Sequence, residues 1–260
     1  MLHSGMGKLS FTKWLSLRED LQQGQVELQV ARFLEDILDK AAALKKQDLQ
    51  AGQRQSFTAY VRQVWPQEFI QDTNFLMPNI FPPDIAGKPV QFKLKLGHNA
   101  GDTIHDQGVF DGFVFNMMPF NKANSPEEVD NWLAALKSTV HHEAEHIYNV
   151  GGEYDSNDYQ GDDKHKMAMQ YMNNPGELKA HARQMAYLYS QHFPGEPFDL
   201  AKAQTILDKP IFTNTMRNYF SSLAKPDVWQ KNIEKFGYKH ANPHDQIMAL
   251  VPQYIPQYQA

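Results

Sequence analysis

The chain has no cysteine in its 260 residues. That excludes disulfides, thiolate metal sites and a cysteine nucleophile, although it leaves the redox compartment open. Strong charge of either sign is also missing: 25 Lys+Arg against 30 Asp+Glu give a net charge of −5. A phosphate-backbone binder would be markedly basic, so nucleic acid is not an expected partner. No run of apolar residues approaches the length of a membrane span, so no transmembrane helix and no membrane partner are expected. The first twenty residues carry Lys8 and Lys13 without an apolar stretch, unlike a secretory signal. An intracellular protein is the expectation. Low-complexity tracts and internal repeats are absent too.

What is present is an ordinary globular composition, 42% apolar and 12% aromatic, in a chain long enough to bury a core without staples. Residues 19–50 place Val26, Val30, Phe33, Leu34, Ile37, Leu38 and Leu44 at near-helical spacing, with Gly52 as a stop. A short helix from Ser56 to Val64 should break at Pro66. Four prolines make 76–89 a loop. Residues 90–96 alternate as a half-buried strand, 97–108 read as a polar connection, and 109–118 read as a second strand, suggesting an antiparallel pair. Residues 125–150 form the clearest helix, with Ser125 as N-cap, Pro126 first, Glu128 completing a capping box and Gly151-Gly152 as the stop. Another helix opens at Asn174-Pro175 and runs toward Gln191. Beyond Pro194 the pattern is helical, broken by Pro210, Pro226, Pro243, Pro252 and Pro256. The expected fold is α+β and predominantly helical with a small antiparallel sheet. The expected organisation is a helical segment over 1–75, a core over 76–194 and a second helical segment over 195–260, packed as one domain.

Residues 141–146 read His-His-Glu-Ala-Glu-His, and 142–146 within them are H-E-x-x-H. On a helix, positions i and i+4 share a face, so His142 and His146 can hold one ion while Glu143 reaches a water beside it. Two histidines leave room for a third protein ligand and an open position. Candidates for that third ligand are Asp155, Asp158, Asp162, Asp163, His165, Glu177, His181 and His192. Glu177 lies in the first turn of a rigid helix, but there it also fits the capping box of Asn174 and needs no metal. His141 and Glu145 are another i, i+4 pair and read as a solvated or supporting pair. His181 shares a face with Glu177. Tyr148, Tyr171, Tyr187 and Arg183 are candidate oxyanion donors. The acidic loop 155–163 and the group His98, Asp102, His105 and Asp106 read as solvated loops rather than further metal sites.

His142, Glu143 and His146, followed by Pro175-x-Glu177-x-x-Ala180-x-Ala182, resemble the zincin metallopeptidases of the glutamate-ligand (gluzincin-like) kind, most closely small zincin-like proteins that include phage-encoded ones. The resemblance spans about residues 105–192. It implies a zincin-like core, one zinc per chain on His142, His146 and Glu177, Glu143 as general base, and a peptide or protein substrate. It further implies that Val109, Phe110, Asp111, Gly112 and Phe113 lie on the edge strand that binds an extended substrate. Two features depart from the better-known patterns. Gly176 and His181 replace the Asn and Asp of the thermolysin-type Asn-Glu-x-x-Ser-Asp signature. Asn149 and Gly152 stand where an H-E-x-x-H-x-x-G-x-x-H extension has its Gly and its last His. The function implied is a zinc-dependent endopeptidase. The contrasting reading is a structural or interaction protein that keeps the fold without turnover.

Overall fold

The computed structural model describes residues 11–72, 74–93, 101–107, 109–148, 174–209 and 226–259. The chain opens with α1 (Phe11–Gln50), whose Val30, Leu34, Ile37, Leu38 and Ala41 form one buried stripe. Next comes α2 (Phe57–Val64), capped by the Ser56 hydroxyl accepting from the Ala59 N–H. It stops at Trp65, whose extended backbone (ψ 141°) is what a following proline demands.

Among the described residues five short strands follow: β1 (Ile70–Gln71), β2 (Asn74–Leu76), β3 (Pro89–Lys93), β4 (Gly101–Asp106) and β5 (Val109–Asn116). They form one mixed sheet in the order β1-β2-β3-β5-β4. β3 and β5 run parallel, in register from Val90↔Phe113 to Lys93↔Asn116, and the other neighbours are antiparallel. The expected antiparallel pairing of 90–96 with 109–118 is therefore wrong. The antiparallel partner of β5 is β4, a stretch expected to be a connection. Its polar residues suit a strand with one neighbour, and Gln107 at φ 48° supplies the positive φ that a tight hairpin needs. β5 consequently lies between β3 and β4, but β3 pairs only with Phe113–Asn116, so of the expected edge residues Phe113 has a strand on both sides while Val109, Phe110 and Gly112 pair with β4 alone. Among the described strands, the edge beside β5 is β4. The segment up to residue 75 is also not purely helical, because β1 and β2 belong to this sheet.

After α3 (Met118–Lys122) comes α4 (Pro126–Glu145). Its Ser125 cap accepts from the Glu128 N–H at 3.1 Å, and the Glu128 carboxylate accepts from the Asn124 N–H at 2.6 Å. The helix closes at His146, several residues before the expected end; Gly151 and Gly152 lie outside the described residues. Among the described residues four more helices follow: α5 (Pro175–His192), α6 (Leu200–Leu207), α7 (Pro226–Phe236) and α8 (Pro243–Tyr258). Pro252 and Pro256 were expected to break the chain but sit within α8. Their spacing of four keeps both rings on its exposed face. None of the helices among the described residues is long and apolar enough to cross a membrane.

Two apolar clusters divide the interior formed by the described residues. One joins α1, α2, the sheet, α3 and α4, centred on Trp65, Phe75, Phe113 and Phe115. The other joins α5 to α6, α7 and α8 through Leu178, Met185, Tyr189, Ile206, Trp229 and Ile247. α4 belongs to the first cluster and α5 to the second, and the two helices pack against each other.

Candidate metal centre

The contact between α4 and α5 brings the H-E-x-x-H histidines to the downstream glutamate. His142 Nε2 lies 3.4 Å from Glu177 Oε2, and His146 Nε2 lies 3.4 Å from Glu177 Oε1. The two histidine Nε2 atoms are 3.3 Å apart. The local reasons are simple. Both histidines fall on one face of the last turn of α4. The Asn174 side chain caps α5 by accepting from the Glu177 N–H at 2.9 Å, which leaves the Glu177 carboxylate free to turn toward α4.

These distances suit an ion. Donors about 2.05 Å from a tetrahedral centre stand about 3.3–3.4 Å from one another. Two imidazoles and one carboxylate are also the donor set of a catalytic zinc site, with one position left over. Among the described residues this is the one group of His, Asp and Glu side chains that could hold a metal.

The electrostatics fit a ligand set. Burial alone would push the Glu177 carboxyl up, but the bonded His142 imidazole and the nearby His146 outweigh it and hold the group at about 2. Burial pushes His142 down, and Glu177, Glu143 and Glu145 outweigh it, so it lies above the usual histidine range. His181 packs its ring 4.3 Å from that of His142. Burial and His142 together hold it well below the usual range, so it is neutral at pH 7. Its Nδ1 is 3.2 Å from Gln184 Oε1, and the Gln184 amide donates to Ser138 Oγ on α4 at 3.1 Å.

Glu143 sits one residue round from His142, about 100° away on the helix, facing β4. The Thr103 hydroxyl of β4 lies 2.8 Å from both the Glu143 carbonyl oxygen and its Oε2. Thr103 was not expected to contribute. Its signal would have been a strand at 101–106, which the polar sequence concealed.

Other expected residues lie elsewhere. Arg183 does not face the ligand set: two residues beyond His181 it points to the opposite side of α5, where it is fully buried against Glu145 and Glu27. Tyr148 engages Asp84; burial and that carboxylate raise its phenol above the usual range. Tyr187 donates to Glu35 Oε1 at 2.6 Å. His192 contacts the Leu188 carbonyl at the far end of α5. His141 and Glu145 are not solvated, being 0% and 4% exposed. Tyr171, His98, His165 and the acids of 155–163 lie outside the described residues, as do the side chains of Asp102 and His105.

No family model, curated protein or solved structure matches this chain.

Proposed function

We propose that the protein is a zinc-dependent hydrolase of the zincin kind that cleaves peptide bonds. The observation that carries this reading is the convergence of His142, His146 and Glu177 at tetrahedral-edge distances, with the Glu143 carboxylate held by Thr103 on the adjoining face of the same helix. Zinc on that set would acidify a water molecule and polarise a peptide carbonyl.

The protein's own residues supply the rest. Glu143 accepts the proton of the attacking water as the oxygen bonds to the carbonyl carbon. It then returns that proton to the amide nitrogen as the C–N bond breaks, leaving a carboxylate and an amine. The Thr103 hydroxyl holds one Glu143 oxygen, so the second is the one assigned to the water. β4 carries Thr103 and is, among the described strands, the sheet edge on this side, so an extended peptide added to β4 would lie next to Glu143. The mixed sheet with an antiparallel edge beside the H-E-x-x-H helix supports a zincin-like core.

Glu143→Gln tests the chemistry, because it preserves size and helix propensity and removes only the base. Zinc content and fold should be unchanged, and hydrolysis of a broad peptide library should fall by at least about a hundredfold. A variant that cleaves as fast as wild type would refute the role of Glu143. A wild type that binds zinc and cleaves no peptide would favour a non-catalytic scaffold.

A further inference from the structure

The H-E-x-x-H turn has a second face. His141 precedes His142 and Glu145 precedes His146, and one residue is a turn of about 100° on a helix. While the ligands face Glu177, this second pair is buried among α1, α5 and α8. Glu145 Oε2 accepts from Arg183 Nη1 of α5 at 2.8 Å, and Glu145 Oε1 accepts from the Tyr254 hydroxyl of α8 at 3.1 Å. His141 Nδ1 lies 3.0 Å from the Tyr258 hydroxyl, and its ring stacks on Tyr187 at 4.1 Å. Arg183 also pairs with Glu27 and donates to the Gly24 carbonyl and to Gln257.

Arg183 and Glu177 share α5, as Glu145 and His146 share α4. The Glu145–Arg183 pair therefore ties together the two ligand-bearing helices from behind. Tyr254 and Tyr258, four residues apart on one face of α8, each reach one member of the second pair.

We infer that Arg183, Tyr254 and Tyr258 are positioning residues of the metal centre, which set the rotation and separation of α4 and α5 so that His142, His146 and Glu177 converge. The inference rests on the zinc reading above. Magnitudes favour it. An imidazole nitrogen about 6 Å from the helix axis moves about 1 Å when α4 rotates by about 10°. Metal–ligand distances tolerate about 0.2 Å. Apolar packing is non-directional and would allow such a rotation, whereas buried hydrogen bonds have discrete partners and angles.

The test uses the full chain and two variants: Tyr254→Phe combined with Tyr258→Phe, which keeps both rings, and Glu145→Gln, which keeps shape. Both leave Arg183 paired with Glu27, whereas removing the arginine would strand the buried Glu27 and Glu145 carboxylates. Three readouts are needed: the thermal transition of metal-free protein, the zinc dissociation constant by chelator competition, and the absorption spectrum with cobalt(II) in place of zinc. The metal-free transition should persist within a few degrees. The zinc dissociation constant should rise about tenfold or more in at least one variant, the scale of a lost supporting partner, with an altered cobalt spectrum. Wild-type affinity and spectrum in both would overturn the inference and leave the zinc reading standing. Loss of the metal-free transition in both would make these residues elements of the fold and also overturn it. A wild type that takes up no zinc would overturn the zinc reading and the inference together.

Discussion

Glu177 shows how one residue satisfies two demands through different atoms. In a reciprocal capping box its carboxylate would turn back to the Asn174 N–H; instead only its backbone N–H joins the cap, and the carboxylate faces His142 and His146. Glu177→Gln should therefore separate the roles. At pH 8 the metal-free melting temperature should stay within a few degrees, because the capped N–H is retained. Zinc affinity should drop at least about a hundredfold, since a neutral amide is a poor substitute for a charged ligand. Chelator competition measures this directly, and an unchanged affinity would assign the third ligand elsewhere. His142, Glu143 and His146 were legible in the sequence because helical periodicity puts them on adjoining faces, whereas Glu177 was one of eight candidates, favoured by its place at the head of a rigid helix and by the resemblance to gluzincin-like proteins. The burial of His141 and Glu145 was not legible, because the groups that cover them come from α1, α5 and α8, far away along the chain.

The elements divide in the same way. α1, α2, α4 and α5 announce themselves by apolar spacing and caps, which are local features. β4 does not: Ile104 is its one apolar residue, and its strand character comes from pairing with β5. The parallel alignment of β3 with β5 is likewise a long-range fact. One glycine marks where these strands meet. Gly112 has φ 135°, and a Cβ there would stand 2.3 Å from the Pro89 carbonyl oxygen. Backbone cannot swing away as a side chain can, so β3 and β5 would have to separate. Gly112→Ala should cost about 2 kcal/mol or more, combining backbone strain with the clash. Denaturant titration reads this as a lower midpoint, and an unchanged midpoint would mean that the approach of β3 to β5 relaxes freely.

Across the whole molecule, the candidate centre lies where two apolar bodies meet. The first cluster carries α4 and, through the sheet, the Thr103 that holds Glu143; the second carries α5 and its Glu177. A ligand set drawn from both sides makes a bound ion a cross-link between them, so binding to the folded state alone stabilises it by mass action. The most direct measurement is the metal content of the purified full chain after zinc is supplied and the excess removed, with His146→Ala alongside. The account predicts one zinc per wild-type chain, a higher melting temperature with zinc than after chelation, and neither effect in His146→Ala. Wild-type content below a few tenths of an equivalent, or equal zinc in His146→Ala, would contradict it.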